Sequence, residues 1–273
     1  MIALSSYPAR CGLAIVSGAV FALAYPPLGW GWLVVPGLAG LLVALRGLQG
    51  SRVRAIGFLH GMAAYGVGLS WLFNVFGGMV VALWCVLAAF TALFAEMQGR
   101  AEMRGVTGWK LAGFTALNWC GWEFIRAELF PLKFPWMSAG LAMGPNALLP
   151  WIGVYGVGAF VVLTAGLLVL RKWRFAAIPA VVLISGIVLW PAIPKPAESD
   201  PLAVKVAGLQ WEEVALKDYL EESRKLPAGT QHVVWPEYAV PFDLRTDARE
   251  LERVQTLCRE RGITLTLGTQ ARA

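Results

Sequence analysis

The residues with the clearest chemical potential lie in one short stretch near the C-terminus, His232–Pro241 (HVVWPEYAVP). In this stretch a run of apolar residues is followed by an acid that stands between two prolines. Because proline cannot donate to a sheet ladder, Pro236 favours the point at which strand pairing ends. We therefore predict that Glu237 lies at the carboxyl end of a strand, where open α/β sheets keep their reactive groups. Acids at such positions also cap loops or pair with arginines, and the sequence leaves that alternative open.

The composition of the chain indicates a membrane protein. Of its 273 residues, 58% are hydrophobic and only 15% are charged, with thirteen tryptophans and a mean hydropathy of +0.61. About a quarter of the residues of a soluble domain are charged. The net charge of +6 arises in the hydrophobic part, because residues 1–201 hold thirteen Lys/Arg against six Asp/Glu, and residues 202–273 hold ten against eleven. We attribute this charge to membrane topology and expect no nucleic-acid partner.

The four cysteines show no CxxC pairing and no histidine partner at metal-ligand spacing. They are Cys11, Cys85, Cys120 and Cys258. We predict neither a disulfide framework nor a metal site, and no cofactor. Cys258 follows the same helical stripe as Leu251 and Val254, which predicts a thiol packed against a core.

Residues 1–191 are predicted to form a membrane domain of about seven transmembrane helices. The candidate spans are 11–26, 30–46, 55–76, 78–97, 109–126, 149–170 and 175–191. Each is near the ~20 residues that cross a hydrocarbon core of about 30 Å, although the first two are short.

Basic residues fall in alternate loops between these spans. One set of loops, together with the N-terminal segment, carries ten Lys/Arg: Arg10, Arg46, Arg52, Arg54, Arg100, Arg104, Lys110, Arg171, Lys172 and Arg174. The opposite loops carry only Arg126 and Lys133. By the positive-inside rule, the N-terminus is cytoplasmic and everything after Pro191 is extracytoplasmic. We expect a multi-pass protein of the bacterial cytoplasmic (inner) membrane.

The hydrophobic periodicity changes after a proline-rich linker at 192–202. Residues 203–273 predict a strand, a helix, a strand, a helix and a strand, which indicates a parallel sheet with crossover helices. The predicted elements are 203–210, 213–226, 232–237, 246–261 and 263–268. A parallel sheet of three strands leaves a face and an edge uncovered. We therefore expect residues 203–273 to be the truncated start of a larger α/β domain.

Five stretches, in a fixed order, resemble one known family. They are Phe21–Gly29, Gly57–Gly61 with Gly68–Leu72, Lys133–Trp136, Gly153–Val157 and Trp235–Glu237. With them the chain resembles the N-terminal half of a bacterial apolipoprotein N-acyltransferase, a membrane enzyme with an extracytoplasmic nitrilase-type (carbon–nitrogen hydrolase) domain. The resemblance implies a multi-span helical bundle followed by the first part of a nitrilase-like α/β domain.

The resemblance also implies a chemistry and its partners. A cysteine thiolate accepts an acyl chain from a phospholipid as a thioester and passes it to the N-terminal S-diacylglyceryl cysteine of an apolipoprotein. A glutamate acts as general base and a lysine stabilises the oxyanion. By motif match, Glu237 is the general base.

The family's lysine and cysteine lie downstream of the Trp-Pro-Glu motif, and no residue of this chain matches them. Lys205, Lys217 and Cys258 fit no part of the pattern. Three alternatives stay open: a fragment of a longer enzyme, one half of a split enzyme that a second chain completes, or a degenerate remnant. The rival functions are a non-catalytic scaffold that binds lipoproteins or a partner and, last, a transporter-like bundle, for which no internal repeat is visible.

Several residues of the membrane domain are secondary candidates. Glu123 and Glu128 flank Arg126 just before the Phe-Pro-Trp motif; they contact a lipid headgroup or substrate, or else pair with Arg126 or Lys133. Trp136 and Tyr155 either position an acyl chain or belong to an interfacial aromatic belt.

The remaining candidates have simpler expected roles. Tyr238, next to the acid, is a further substrate-binding candidate. We expect Glu96 to extend beside Arg100, and we expect three polar residues within helices to form interhelical hydrogen bonds rather than to catalyse. These three are His60, Asn74 and Asn118.

Overall fold

A computed structural model describes residues 6–192, 204–211, 215–237 and 239–269 of the chain. The chain divides into two compact units, Met1–Pro194 and Lys195–Ala273. The first unit is helical, and the second holds a small parallel sheet with two helices. Of the linker predicted at 192–202, all but residue 192 lies outside the described residues.

Seven helices of twelve residues or more make up the described part of the helical unit. In chain order the α-helices are α1 (Tyr7–Ala22), α2 (Val34–Leu45), α3 (Ser51–Gly68), the single turn α4 (Phe73–Phe76), α5 (Val80–Met103), α6 (Gly108–Phe124), α7 (Leu149–Val169) and α8 (Trp173–Leu189). Tight 3₁₀ turns lie at Gly31–Leu33, Ser70–Leu72, Gly77–Met79, Leu141–Met143 and Trp190–Ala192, and a π-helical turn follows α6 at Ile125–Leu129.

Each predicted span corresponds to one of the long helices, with shifted ends. The first helix begins at Tyr7 rather than at residue 11, because the Ser6 hydroxyl accepts from the Ala9 N–H and Pro8 occupies its first turn. The third span is shorter than predicted, since α3 ends at Gly68 and irregular turns follow.

Three stretches are long and apolar enough to cross a membrane: Ser70–Met103, Leu149–Val169 and Trp173–Ala192. Two further apolar helices, Tyr7–Ala22 and Gly31–Leu45, are shorter. The protein is therefore a membrane protein by the length and composition of its helices. The count of seven spans stays a prediction.

Glycines bring α1, α3 and α5 into close contact. A Cβ atom on Gly18 would lie 2.3 Å from the carbonyl oxygen of His60, and one on Gly57 would lie 2.6 Å from that of Thr91. One on Gly61 would lie 2.7 Å from the Cα atom of Ala88. Small residues at such positions allow helix backbones to pack closely, which is the main source of helix association in lipid.

Polar side chains add hydrogen bonds between these helices. The Ser17 hydroxyl of α1 lies 3.0 Å from Nδ1 of His60 on α3, and the Asn118 amide of α6 donates to the Phe94 carbonyl of α5 (3.0 Å). The predicted interhelical roles of His60 and Asn118 are therefore confirmed. Asn74 lies exposed on α4.

Glu96 forms the predicted contact with its basic neighbour. Its carboxylate accepts from Arg100 (2.5 Å) and also lies 3.4 Å from Arg54 on α3. The contact between Glu96 and Arg54 thus joins α5 to the start of α3.

The α/β unit has the predicted order of elements. Along the chain they are β1 (Val206–Gly208), α9 (Leu216–Lys225), β2 (His232–Val234), α10 (Ala248–Arg261) and β3 (Thr264–Thr266). The strands are parallel in the order β1-β2-β3, and Val206 aligns with His232, which aligns with Thr264. Each described strand has three residues and is shorter than predicted.

The core of this unit lies on one side of the sheet. Its centre includes Tyr219, Leu220, Val233, Trp235 and Leu257. On the strands, Val206 and Val234 remain exposed among the described residues. This exposure agrees with the predicted uncovered face, and the assignment of the unit to a nitrilase-like domain stays a prediction.

We expect Gly57→Val to lower the free energy of unfolding of the detergent-solubilised chain by about 1–3 kcal/mol, because α3 and α5 must separate to admit the side chain. The matched control is Gly113→Val, since a Cβ atom on Gly113 meets nothing within 4 Å. Denaturant titration followed by circular dichroism measures both. Equal effects of the two substitutions would contradict the close packing described here.

Candidate functional site

The Trp-Pro-Glu motif forms the turn that follows β2. The strand ends at Val234, and the Trp235 N–H makes one more bond to the Thr266 carbonyl (2.9 Å). Pro236 has no N–H, so pairing ends there. Glu237 therefore lies in the turn, three residues past the strand; the prediction that the strand extends to Glu237 is wrong for this reason.

The backbone of this turn is held against the segment after β3. The Gly268 N–H donates to the Pro236 carbonyl, and the Val240 N–H donates to the Gly268 carbonyl, both at 3.3 Å. A Cβ atom on Gly268 would lie 1.7 Å from the Glu237 carbonyl oxygen, so only glycine fits there. On the other side, the buried Trp235 indole donates to the Ser223 hydroxyl (3.0 Å). The main chain of Glu237 is thus firmly positioned.

The segment after the turn is fixed by an ion pair and a threonine. The Asp243 carboxylate accepts from the Arg245 Nε and Nη2 atoms at 2.9 and 2.8 Å. These bonds hold the pKa of the Asp243 carboxyl below its usual value. The Thr269 hydroxyl donates to the Phe242 carbonyl and accepts from the Leu244 N–H (3.1 Å), which ties the segment to the end of β3.

The Glu237 side chain itself is exposed. Among the described residues, none makes a hydrogen bond or ion pair with its carboxylate, so the capping and pairing alternatives are not observed. An unengaged carboxylate on a rigid turn can accept a proton from a bound group. The adjacent Tyr238, a predicted substrate contact, lies outside the described residues.

Cys258 has the predicted packing role. Its side chain contacts the core of the α/β unit from the C-terminal part of α10, and burial raises the pKa of the thiol. A nucleophilic cysteine requires a lowered pKa. Within the described residues, no group of three or more His, Cys, Asp or Glu side chains could hold a metal ion.

A separate buried polar network lies in the helical unit. Glu123, 5% exposed, lies in the last turn of α6, and Arg126, 2% exposed, lies in the π-helical turn. One carboxylate oxygen of Glu123 accepts from the Trp119 indole and from the Ala139 N–H, both at 2.7 Å. Its other oxygen has no partner in the described part of the chain.

Arg126 binds three neutral oxygens, one on α3 and two on the Phe-Pro-Trp loop. It donates to the Tyr65 hydroxyl of α3 (3.1 Å), to the Trp136 carbonyl (2.9 Å) and to the Ser138 hydroxyl (3.4 Å). Together with the bond from Ala139 to Glu123, these contacts hold the Phe-Pro-Trp loop, residues 130–140, against α3 and α6.

The alternative in which Glu123 or Glu128 pairs with Arg126 or Lys133 is not observed among the described residues. The exposed Glu128 instead accepts from the Tyr155 hydroxyl (2.8 Å). Tyr155 also contacts Phe124 edge to face, with ring centroids 5.6 Å apart.

The Phe-Pro-Trp loop forms one wall of an apolar groove of about 830 Å³. Trp136, 49% exposed, stacks on Trp71 with ring centroids 5.2 Å apart. The groove is lined by Tyr25, Pro26, Gly68, Leu69, Trp71, Pro135, Trp136, Met137 and Leu141. The structure therefore places Trp136 on the groove, whereas Glu123 contacts the loop behind it and Tyr155 is not part of the lining.

Comparison with known sequences decides the family. A family model described as the apolipoprotein N-acyltransferase N-terminal domain matches residues 17–167, more than half of the chain. The chain belongs to the apolipoprotein N-acyltransferase family.

Curated relatives named apolipoprotein N-acyltransferase align with most of this chain. The relative from Methylococcus capsulatus is 27% identical over 94% of this chain and 56% of its own length, and that from Geobacter metallireducens is 28% identical over 95% and 57%. The relative from Pseudomonas aeruginosa is 30% identical over 84% and 51%. The chain thus spans about half the length of the curated relatives it matches.

Residues 17–167, which match the apolipoprotein N-acyltransferase family model, contain both the apolar groove and the buried network. Sequence reasoning treated Arg126 only as an ion-pair partner and did not assign a role to Tyr65 or Trp71. The available signal was an arginine within an apolar segment near the Phe-Pro-Trp motif. Its partners are distant in sequence, so no local pattern identified them.

Substitution of the buried arginine tests the network. We expect Arg126→Gln to lower the free energy of unfolding by about 3–5 kcal/mol, because it leaves Glu123 buried without a nearby positive charge. The double substitution Arg126→Gln with Glu123→Gln should cost less than the single one. Denaturant titration of the detergent-solubilised chain measures each variant.

The matched control for that experiment is Lys133→Gln, which removes an exposed charge from the same loop and should change stability by less than about 0.5 kcal/mol. A double variant that is less stable than Arg126→Gln alone would contradict the coupling of the two buried charges.

Proposed function

We propose that this chain is the membrane-embedded part of an enzyme that moves an acyl chain from a phospholipid to the N-terminal S-diacylglyceryl cysteine of an apolipoprotein. The observation that supports this most strongly is the family match over residues 17–167. The alignments with relatives of that name cover 94–95% of the chain, and so extend across the Trp-Pro-Glu turn.

In this proposal, Glu237 is the general base of two successive acyl transfers. In the first, a cysteine thiol loses its proton to the glutamate and its sulfur attacks an ester carbonyl of the phospholipid. The glycerol oxygen leaves with the proton, and a thioester remains. In the second, the amine of the acceptor attacks the thioester, the glutamate takes the amine proton, and the thiolate leaves and is reprotonated. The Glu237 carboxylate is exposed and has no hydrogen-bond or ion-pair partner within the described part of the chain, which suits both steps.

The lysine and cysteine of the family mechanism have no match in this sequence. The carboxylate supplied here would act with an oxyanion-stabilising lysine and a nucleophilic cysteine from outside residues 1–273. The comparisons give no support to a second chain as their source.

The apolar groove of the helical unit is the proposed site for an acyl chain. Trp136 and Trp71 offer a stacked aromatic wall, and Tyr25 adds a polar group beside it. Glu123 acts indirectly, because it binds the N–H of Ala139 within the loop that carries Trp136. Tyr155, with its bond to Glu128, and Tyr238 are proposed contacts for the polar part of a substrate.

We further propose that the helical unit crosses the bacterial inner membrane several times and that the α/β unit is extracytoplasmic and nitrilase-like. The alternation of basic loops supports this orientation. Substrates whose acyl chains stay in the bilayer could then present their ester and amine groups to Glu237. Bringing both reactants to one site replaces a bimolecular encounter by a local one.

Acyl transfer by a fused protein tests the role of Glu237. Residues 1–269 are joined to the C-terminal half of the Pseudomonas aeruginosa relative, and transfer to a diacylated lipopeptide is followed by mass spectrometry. We expect Glu237→Gln to reduce the rate about 10²- to 10⁴-fold, the usual contribution of a general base. Glu252→Gln, an exposed acid on α10, is the matched control and should retain the rate.

Full activity of the Glu237→Gln fusion would remove this residue from the mechanism. A fusion that is folded and binds the lipopeptide, yet transfers no acyl chain in any variant, would favour the alternative of a non-catalytic scaffold that binds lipoproteins.

A further inference from the structure

A second apolar groove lies at the end of the helical unit that carries the basic loops. Its volume is about 830 Å³. Ala39 and Val43 of α2 form one side, and Leu168 and Val169 of α7 form the other. The groove is therefore an apolar cleft between two helices of a membrane-embedded unit.

Three polar or aromatic side chains stand around this cleft: Arg46, Arg171 and Trp173. Arg46 directly follows α2, and Arg171 follows α7 by two residues. Of the described residues that line the cleft, none is acidic. Arg46 also lines a neighbouring cavity, and an acidic residue, Glu102, lines that cavity too. The Glu102 carboxylate accepts a hydrogen bond from the Gly47 N–H (3.3 Å).

The backbone at Arg171 is unusual for a residue with a side chain. Its φ angle is +56°, in the left-handed region, and the N–H groups of Arg171 and Lys172 bond back to Leu168 and Leu167, both at 2.9 Å. Helices commonly end in this pattern with glycine at the left-handed position, because glycine adopts it without steric cost. Arg171 adopts this left-handed backbone conformation at a steric cost that glycine would avoid. Because its side chain also places a positive charge on the cleft, the cost points to a functional role for that charge.

We propose that this cleft binds an anionic phospholipid of the leaflet at the basic end of the helical unit. The phosphate lies between Arg46 and Arg171, and an acyl chain follows the apolar side chains of α2 and α7. Guanidinium groups bind phosphate oxygens in a bidentate manner, and basic clefts between membrane helices on the cytoplasmic side recognise anionic headgroups. Trp173, 64% exposed, is placed to contact the glycerol region.

This lipid site is distinct from the groove beside Trp136. That groove includes Gly68 at the end of α3, whereas Arg46 of the basic cleft lies in the loop that leads into Ser51 at its start. An 18-residue helix therefore separates them, which corresponds to about 27 Å. The proposal does not depend on acyl transfer, since it concerns lipid that remains bound and unchanged.

Native mass spectrometry of the delipidated full chain tests the site. The chain in a neutral detergent is titrated with phosphatidylglycerol or with phosphatidylcholine of the same acyl chains. We expect tighter binding of phosphatidylglycerol, about fivefold weaker binding after either Arg46→Gln or Arg171→Gln, and about 30-fold weaker binding after both. Phosphatidylcholine binding should change less, because its choline ammonium already offsets the charge of its phosphate.

The matched control removes two exposed charges at the same end, with Arg104→Gln after α5 and Lys110→Gln in the first turn of α6. We expect phosphatidylglycerol binding to be unaffected. An equal loss in this control would show that the attraction is diffuse, and undiminished binding by the Arg46/Arg171 double variant would exclude those arginines; either result overturns the proposal.

Two further measurements keep the proposal testable if the arginine variants do not fold. Val43→Phe narrows the apolar cleft while both arginines remain, so we expect it to lower the preference for phosphatidylglycerol; an unchanged preference overturns the proposal. Inorganic phosphate lacks an acyl chain and should not displace bound phosphatidylglycerol at millimolar concentration. Displacement by phosphate alone would assign the cleft to a soluble anion instead.

Discussion

The buried guanidinium of Arg126 is the constraint on which the end of the helical unit opposite the basic loops depends. A charge inside a membrane-embedded bundle is costly unless its donors find oxygen partners. Arg126 finds them on α3, through Tyr65, and on the Phe-Pro-Trp loop, through Trp136 and Ser138. Satisfying one charge therefore fixes how three segments meet. Trp136, which stacks on Trp71 in the apolar groove, is held by one of these contacts.

The two ends of the helical unit differ in chemistry. One end has a groove of aromatic and apolar side chains. Arg126, the one buried cation among the described residues, lies at this end and donates its hydrogen bonds to other groups of the protein. The other has a cleft with two arginines at its edge, within a set of basic loops. Such asymmetry suits a protein with a different task at each membrane surface. We propose substrate handling at the aromatic end and retention of an anionic lipid at the basic end.

Local patterns predicted the elements well, because hydropathy and turn residues are local properties. The five elements of the α/β unit appear in the predicted order, and each predicted span has its helix. The site contacts were less predictable, since they depend on chain segments distant in sequence. Glu123 was expected to contact substrate or a nearby cation, yet it binds Trp119 and the N–H of Ala139. Likewise, the positive-inside rule accounts for Arg46 and Arg171 separately, but only packing of α2 against α7 brings them to one cleft.

The most direct test of this account is the sidedness of the unit that carries Glu237. With the four native cysteines replaced by alanine, single substitutions Arg249→Cys on α10 and Arg104→Cys in a basic loop are labelled with a membrane-impermeant maleimide on intact bacterial cells. Both positions are exposed. The account predicts labelling of the Arg249→Cys variant in intact cells and of the Arg104→Cys variant only after permeabilisation. The reverse pattern would place Glu237 in the cytoplasm and contradict the proposed function.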